Sequence, residues 1–179
     1  ALGPIDAYLS RVLEVAMNKE NCATRIGHVN LKVSNLESAI AFYTDVMGLT
    51  LMQRFGTGGA FLGYGGYHHH IGLNTLLSAG GAPPPESSTG LHHVAFLYPD
   101  RDALIAAVNR VMTHLKDVES DEAPQVRDHG VSEAVYFHDP DNILIEMYCD
   151  RPKEAWPYDS AGNLAMFNEP VELETFLNS

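Results

Sequence analysis

Two stretches of the chain alternate apolar and polar positions in the same way. Over Arg25 to Val33, Val29, Leu31 and Val33 fall on one face of an extended strand, with His28, Asn30 and Lys32 on the other. The run Leu91 to Leu97 repeats this pattern, and both runs give way to a polar break and then to helical spacing. In the first helix, predicted over Leu36 to Met47, the residues Leu36, Ile40, Tyr43 and Met47 form the buried stripe. Ser34 or Asn35 can cap its start, and Gly48 suits its end. The second helix is predicted over Asp100 to Leu115. Shifting the chain on itself by 65 positions lays His28 on His93, Val29 on Val94, Ala41 on Ala106 and Met47 on Met112. The pattern is an internal repeat.

Strands follow each helix. In the first half they are expected at Thr50 to Phe55, Ala60 to Tyr64 and Tyr67 to Leu76, separated by glycine-rich turns. In the second half a weak strand is expected near Val118 to Val126. A hairpin then joins Val131 to His138 with Ile143 to Cys149 through Asp139-Pro140-Asp141-Asn142. The aperiodic Pro/Gly/Ser stretch Ser78 to Gly90 reads as a linker. The expected fold is therefore α+β: two tandem β-α-β-β-β modules, residues 24–77 and 91–150, forming a curved mixed sheet. Residues 1–23 hold an amphipathic helix whose apolar positions are Ile5, Leu9, Val12, Leu13 and Ala16. Residues 151–179 form a tail whose Trp156, Leu173, Phe176 and Leu177 are expected to pack back on the domain.

Composition narrows the function classes. A chain of 179 residues, 45% hydrophobic and 19% charged, is long enough for one well-buried domain and is neither disordered nor membranous. Its eleven basic residues are scattered and its net charge is −12, which excludes a nucleic-acid partner and is read as solubility. No apolar run approaches the roughly 20 residues that span a bilayer, and no export signal opens the chain. Cys22 and Cys149 form neither a metal cluster nor a disulfide framework, which fits a reducing cytoplasm. The N-terminal helix is compatible with several assemblies, a homo-oligomer among them.

The candidate chemistry lies in the strands. Glu146 stands between Ile145 and Met147, and an ionised carboxylate is costly to bury unless paired or metal-bound. Taken singly, a strand-edge glutamate with its head in water and a hydrogen-bonded core histidine are the commoner outcomes. The repeat changes the weighting, because a duplicated sheet sets the strands of His28, His93 and Glu146 side by side. Two imidazoles and a carboxylate form the facial triad of non-haem Fe(II) oxygenases, and their residual charge of about +1 favours an anionic chelating substrate. His93 is preferred to His92 because it aligns with His28, and alternation turns His92 to the opposite face.

The runs I-G-H-V-N-L-K-V, A-F-Y-T-D-V-M-G-L, L-H-H-V-A-F and V-Y-F-H-D-P-D-N-I-L-I-E-M-Y resemble the vicinal oxygen chelate superfamily of glyoxalases, antibiotic resistance proteins and type I extradiol dioxygenases. G-Y-H-H-H-I-G-L-N-T and H-G-V-S-E-A-V-Y-F are similar to its catechol 2,3-dioxygenase-like branch. The resemblance covers roughly Thr24 to Pro152. It implies Fe(II), with Mn(II) as the alternative, on His28, His93 and Glu146. It also implies a small aromatic diol and dioxygen as substrates. Tyr136, ten residues before Glu146, matches a tyrosine that hydrogen-bonds the substrate oxygen. His129 matches a site histidine, although its loop is two residues shorter than in many members. His69 matches a second-sphere acid/base; strand parity offers His70 instead, and a bulge would reconcile them.

One departure is visible. The family's D-P-D-G-N-G-I-E becomes Asp139-Pro140-Asp141-Asn142-Ile143-Leu144-Ile145-Glu146 here. Asn142 can take the left-handed turn, whereas Leu144 fills space beside the site and bears on substrate size. Two rivals stand beside the dioxygenase. A glyoxalase-type isomerase or lyase wants a fourth ligand in the first module's last strand, where neither Glu nor Asp occurs between Tyr64 and Leu76. A non-catalytic binding module would generally lack the triad.

Overall fold

A computed structural model describes residue 23 and residues 25–178, so the expected helix over Ile5 to Met17 and Cys22 lie outside the described residues. The first module runs β1 (Val29–Lys32), α1 (Leu36–Ala41), β2 (Thr50–Phe55), β3 (Gly59–Gly63) and β4 (Ile71–Asn74). The second runs β5 (His93–Leu97), α2 (Arg101–Asp117), β6 (Gln125–Asp128), β7 (Ser132–His138) and β8 (Leu144–Asp150). The expected β-α-β-β-β plan therefore appears twice. Hydrogen bonding divides the strands between two mixed sheets, ordered β1-β4-β3-β2 and β5-β8-β7-β6-β9, where β9 (Glu169–Val171) comes from the C-terminal tail. In each, the first strand of the module pairs parallel with the last.

Alternation sorts the faces as read. Leu31, Val33, Ile71 and Leu73 are buried against α1, while Ile145, Met147 and Cys149 are buried with α2's Leu104, Ala107, Val108 and Val111. Asn35, the better of the two expected caps, accepts from Ser38 N at 3.1 Å, and Asp100 does the same for Ala103 N at 2.8 Å. The first helix differs from expectation past Ala41. It widens into a π segment, Phe42–Val46, with Met47 N donating to Phe42 O at 3.1 Å and Thr44 Oγ1 donating back to Ile40 O at 2.9 Å. Gly48, at φ +79°, ends it.

Two expected strands shorten and one strand is new. The expected Tyr67–Leu76 strand shortens to Ile71–Asn74, because Gly65 and Gly66 take positive φ and Tyr67 N closes a turn on Tyr64 O at 3.2 Å. The expected Val118–Val126 strand starts only at Gln125, since α2 extends to Asp117 and Glu119 adopts φ +52°. The C-terminal tail adds an unanticipated strand, β9 (Glu169–Val171), antiparallel to β6, before α3 (Leu173–Asn178) buries Phe176.

The modules meet through helices and the hairpin turn. Arg110 Nε donates to Val46 O at 3.1 Å, and Phe42 lies 6.3 Å from Phe137, ring to ring. Tyr43 donates to Asp139 at 2.9 Å, and Ser34 N donates to Asp141 at 2.8 Å. Asn142 takes φ +63° in that turn, as its side chain allows.

Candidate functional site

The open face of the second sheet is built by register. One cross-strand row contains Gln125, Tyr136, Glu146 and Ala95; the next contains His138, Leu144 and His93. Glu146 is only 8% exposed, and its Oε2 lies 2.9 Å from His93 Nε2. Tyr136, directly opposite Glu146, engages that carboxylate and also sits 2.9 Å from His129 Nε2. Burial first, and then the neighbouring Glu146, push the Tyr136 phenol far up from its ordinary value, while Arg127 opposes them. The phenol is therefore a held donor.

The tail fixes the histidine behind it. His129 Nδ1 lies 3.2 Å from the Phe167 carbonyl, which can only accept, so Nδ1 carries a hydrogen and Nε2 faces the Tyr136 hydroxyl. Phe167 N returns a bond to His129 O at 3.3 Å. The four side chains His129, Tyr136, Glu146 and His93 thus form one connected line.

The first module gathers the other candidates. The His28 ring lies 4.5 Å from that of His69, which lies 4.7 Å from Phe61. Desolvation, and then His28, His68 and His70, push the His69 imidazole down. His70 is elsewhere: it stacks on Tyr64 at 4.0 Å and 10°, 4.8 Å from Tyr67, and its buried Nδ1 has no hydrogen-bond partner among the described residues. Desolvation and then Arg25 and His68 push it down as well.

His28 stands with His69, while His93 stands with Glu146. Among the described residues no group of three or more His, Cys, Asp or Glu side chains converges as a metal site. A metal would find two adjoining donors of the right chemistry, imidazole and buried carboxylate, in His93 and Glu146; His28 does not join them in this arrangement.

Two details of the sequence reading change. His92 precedes β5, so alternation does not apply to it, and its Nδ1 lies 2.8 Å from His93 Nδ1 instead of turning away. The place in module one that corresponds to Glu146 is held by Gly72, not by His69 or His70. Asn30, aligned with Ala95, pairs with Gly72 as Ala95 pairs with Glu146. A Cβ on Gly72 would meet Asn30 Nδ2 at 2.6 Å. Asn74 Nδ2 in turn donates to Asn30 Oδ1.

Three polar residues that the sequence pattern does not single out stand with this face. A cavity of about 990 Å³ is lined there by His93 and Tyr136 and also by His138, Glu122 and Arg127. His138 Nδ1 lies 2.7 Å from Glu122 Oε1, which also accepts from His138 N at 3.0 Å. Alternation of Gln125 and Arg127 against Val126 would have placed Arg127 there had β6 been set two residues later. Leu144 lines the cavity as expected of it.

The sequence family described as the Glyoxalase/Bleomycin resistance protein/Dioxygenase superfamily matches residues 25–147. A catechol-2,3-dioxygenase of Bacillus subtilis (strain 168) is 34% identical over 159 residues, covering 86% of this chain and 51% of that protein. A metapyrocatechase of Pseudomonas sp. (strain CF600) is 28% identical over 153 residues, covering 79% and 47%. The chain thus spans about half the length of these two relatives. A probable lactoylglutathione lyase of Vibrio parahaemolyticus is 29% identical over 140 residues, covering 73% of this chain and 94% of that one. Among solved structures, a glyoxylase/bleomycin resistance protein/dioxygenase domain from Frankia sp. EAN1pec superposes with a TM-score of 0.57 at 23% identity, covering 73% and 100%. At that identity the likeness shows the fold alone. No helix among the described residues is long and apolar enough to cross a membrane. The chain belongs to the glyoxalase/bleomycin resistance protein/dioxygenase superfamily.

Proposed function

From that membership we propose that the chain carries the catalytic domain of an Fe(II)-dependent extradiol dioxygenase that opens a catechol-type ring with dioxygen. The observation that carries this reading is the line His129, Tyr136, Glu146, His93 on one open sheet face. The similarity to proteins named catechol-2,3-dioxygenase and metapyrocatechase supports it. His93 and Glu146 would hold the metal, with His28 as the third ligand and Mn(II) as the alternative ion. Bound there, the metal supplies the open coordination positions that bring a diol and dioxygen together.

The chain's own residues then do the positioning. Tyr136, kept protonated by burial, donates to a substrate oxygen beside Glu146. His129, with its Nδ1 hydrogen committed to Phe167 O, holds the phenol at Nε2 until a substrate oxygen takes over the phenol's hydrogen. His69, pushed toward its neutral form, serves as a base on the module-one side.

The test is anaerobic loading with Fe(II), addition of mono- and bicyclic catechols, and admission of oxygen. Oxygen uptake with a yellow ring-opened product is expected. Absence of both across that panel overturns the reading. The similarity to a probable lactoylglutathione lyase motivates a second reading, a metal-dependent lyase. Gly72 weighs against it, because the place where module one would supply a fourth ligand has no side chain.

A further inference from the structure

We propose that Arg127 forms an anion subsite, so that the preferred diol carries a carboxylate on its ring. The inference rests on the open face being the diol site, and it deepens that reading.

Arg127 lies on β6, on the face shared with Tyr136 and Glu146, and lines the same cavity. Its one side-chain hydrogen bond among the described residues runs from Nη2 to Gln125 Oε1, at 3.1 Å, and Gln125 lies directly opposite Tyr136. This bond draws the guanidinium toward the row that holds the held phenol. A guanidinium has five donors in a planar fork, and the remaining donors meet no carboxylate among the described residues.

Glu146 and the two acids of the cavity lining, Glu122 and Asp139, are already committed. Glu146 meets His93 at 2.9 Å, and Glu122 meets His138 at 2.7 Å. Asp139 accepts from Tyr43 at 2.9 Å. Asp128, next in the chain, meets Arg151 at 2.9 Å. In a chain of net charge −12, a cation that lines a cavity and pairs with no acid among the described residues is a feature with a use.

The spacing suits one aromatic ring. Arg127 is two strands and two residues from Glu146, roughly 12 Å between Cα atoms on ideal sheet dimensions. Strand side chains stand off the sheet nearly perpendicular to it, so the fork and the carboxylate keep about that separation, room for one substituted ring between them. A diol held at His93 and Glu146 can then present a ring carboxylate to the fork, a bidentate match that an ammonium would not reproduce.

The experiment compares three probes on the anaerobic metal-loaded chain by calorimetry: catechol, 3,4-dihydroxybenzoate and benzoate. Wild type is expected to bind 3,4-dihydroxybenzoate roughly ten- to hundredfold more tightly than catechol, as a charge-assisted pair gives. Arg127→Gln should erase that preference, and Arg127→Lys should keep only part of it. Benzoate should bind far more weakly than either diol. Equal affinity for the two diols in wild type, or an equal loss of both in Arg127→Gln, overturns the subsite. An Arg127-dependent preference without ring opening leaves the subsite and overturns the dioxygenase. Ring opening of catechol without that preference does the reverse.

Discussion

Where the second module carries Glu146 on β8, the first carries Gly72 on β4, and the surroundings of these two positions differ as much as the residues do. Glu146 is held between a histidine and a tyrosine that both line the cavity. Gly72 lies beneath the side chain of Asn30, which Asn74 braces. Both modules use parallel first and last strands, a helix on one face and an open opposite face. The frame is duplicated, but the chemistry is not. A strand register can be copied without its function, because the buried face sets the fold and the open face is free to change.

The largest expected effect comes from removing what only module two has. Glu146→Ala and His93→Ala should each abolish metal retention and lower catechol turnover by at least about a thousandfold, since each removes one of two adjoining donors. Elemental analysis after Fe(II) loading, followed by oxygen uptake, measures both. Full metal occupancy in Glu146→Ala would move the site elsewhere.

Making the modules alike is the converse experiment. Gly72→Glu alone forces its Cβ against Asn30, so Asn30→Ala must accompany it. The double variant should keep its metal while losing roughly a hundredfold in oxygen uptake, because an added carboxylate fills a position that the reaction leaves open. Unchanged uptake would show that module one's face stands apart from the coordination site.

An effect of the same size separates the two second-sphere histidines. Tyr136→Phe should lower kcat by roughly a hundredfold with metal retained, the usual scale for losing a positioned proton donor. His129→Gln should resemble it, because His129 acts through Tyr136. His69→Gln should differ from both in its pH profile, since that ring touches His28 and not the phenol. Matching profiles for all three would place His69 in the same line.

Much of the frame was legible because period and punctuation agree. Val29-Leu31-Val33 and Val94-Phe96 alternate cleanly, and Asn35, Gly48 and Asp100 mark helix ends. The errors fell where local signals compete with tertiary bonding. The π segment Phe42–Val46 leaves the apolar spacing almost unchanged, so a hydrophobic stripe cannot reveal it. β9 is three residues long and contains Pro170, a composition that only an edge position beside β6 makes sensible. In the site, the repeat marked His28 and His93, but the histidine run before β4 hid the correspondence of Gly72 with Glu146. A register is fixed by pairing, which no single strand's sequence contains.

The smallest expected effect concerns the joint between the modules, where Asp139 of module two is capped by Tyr43 of module one. Asp139 is 5% exposed and accepts from Tyr43 at 2.9 Å and from the backbone of Asp141 and Ile143 at 2.9 and 2.8 Å. Asp139→Ala strands these donors and should cost roughly 2–4 kcal/mol. Asp139→Asn keeps an acceptor for the backbone, so its cost should be smaller and should change with pH. Burial, outweighing the hydrogen bonds, raises the Asp139 carboxyl above its ordinary value. A raised folded value means the folded chain holds this proton more tightly than the unfolded one. Stability from this group is then fully present below the unfolded value of about 3.9 and is lost as pH rises through the folded value. The amide does not titrate, so wild type should lose its advantage over Asp139→Asn as pH climbs from about 4. Urea unfolding of the two proteins across that window measures the difference. The opposite slope would mean that the bonds from Tyr43 and the turn outweigh burial, and that module one stabilises the charge, not the proton.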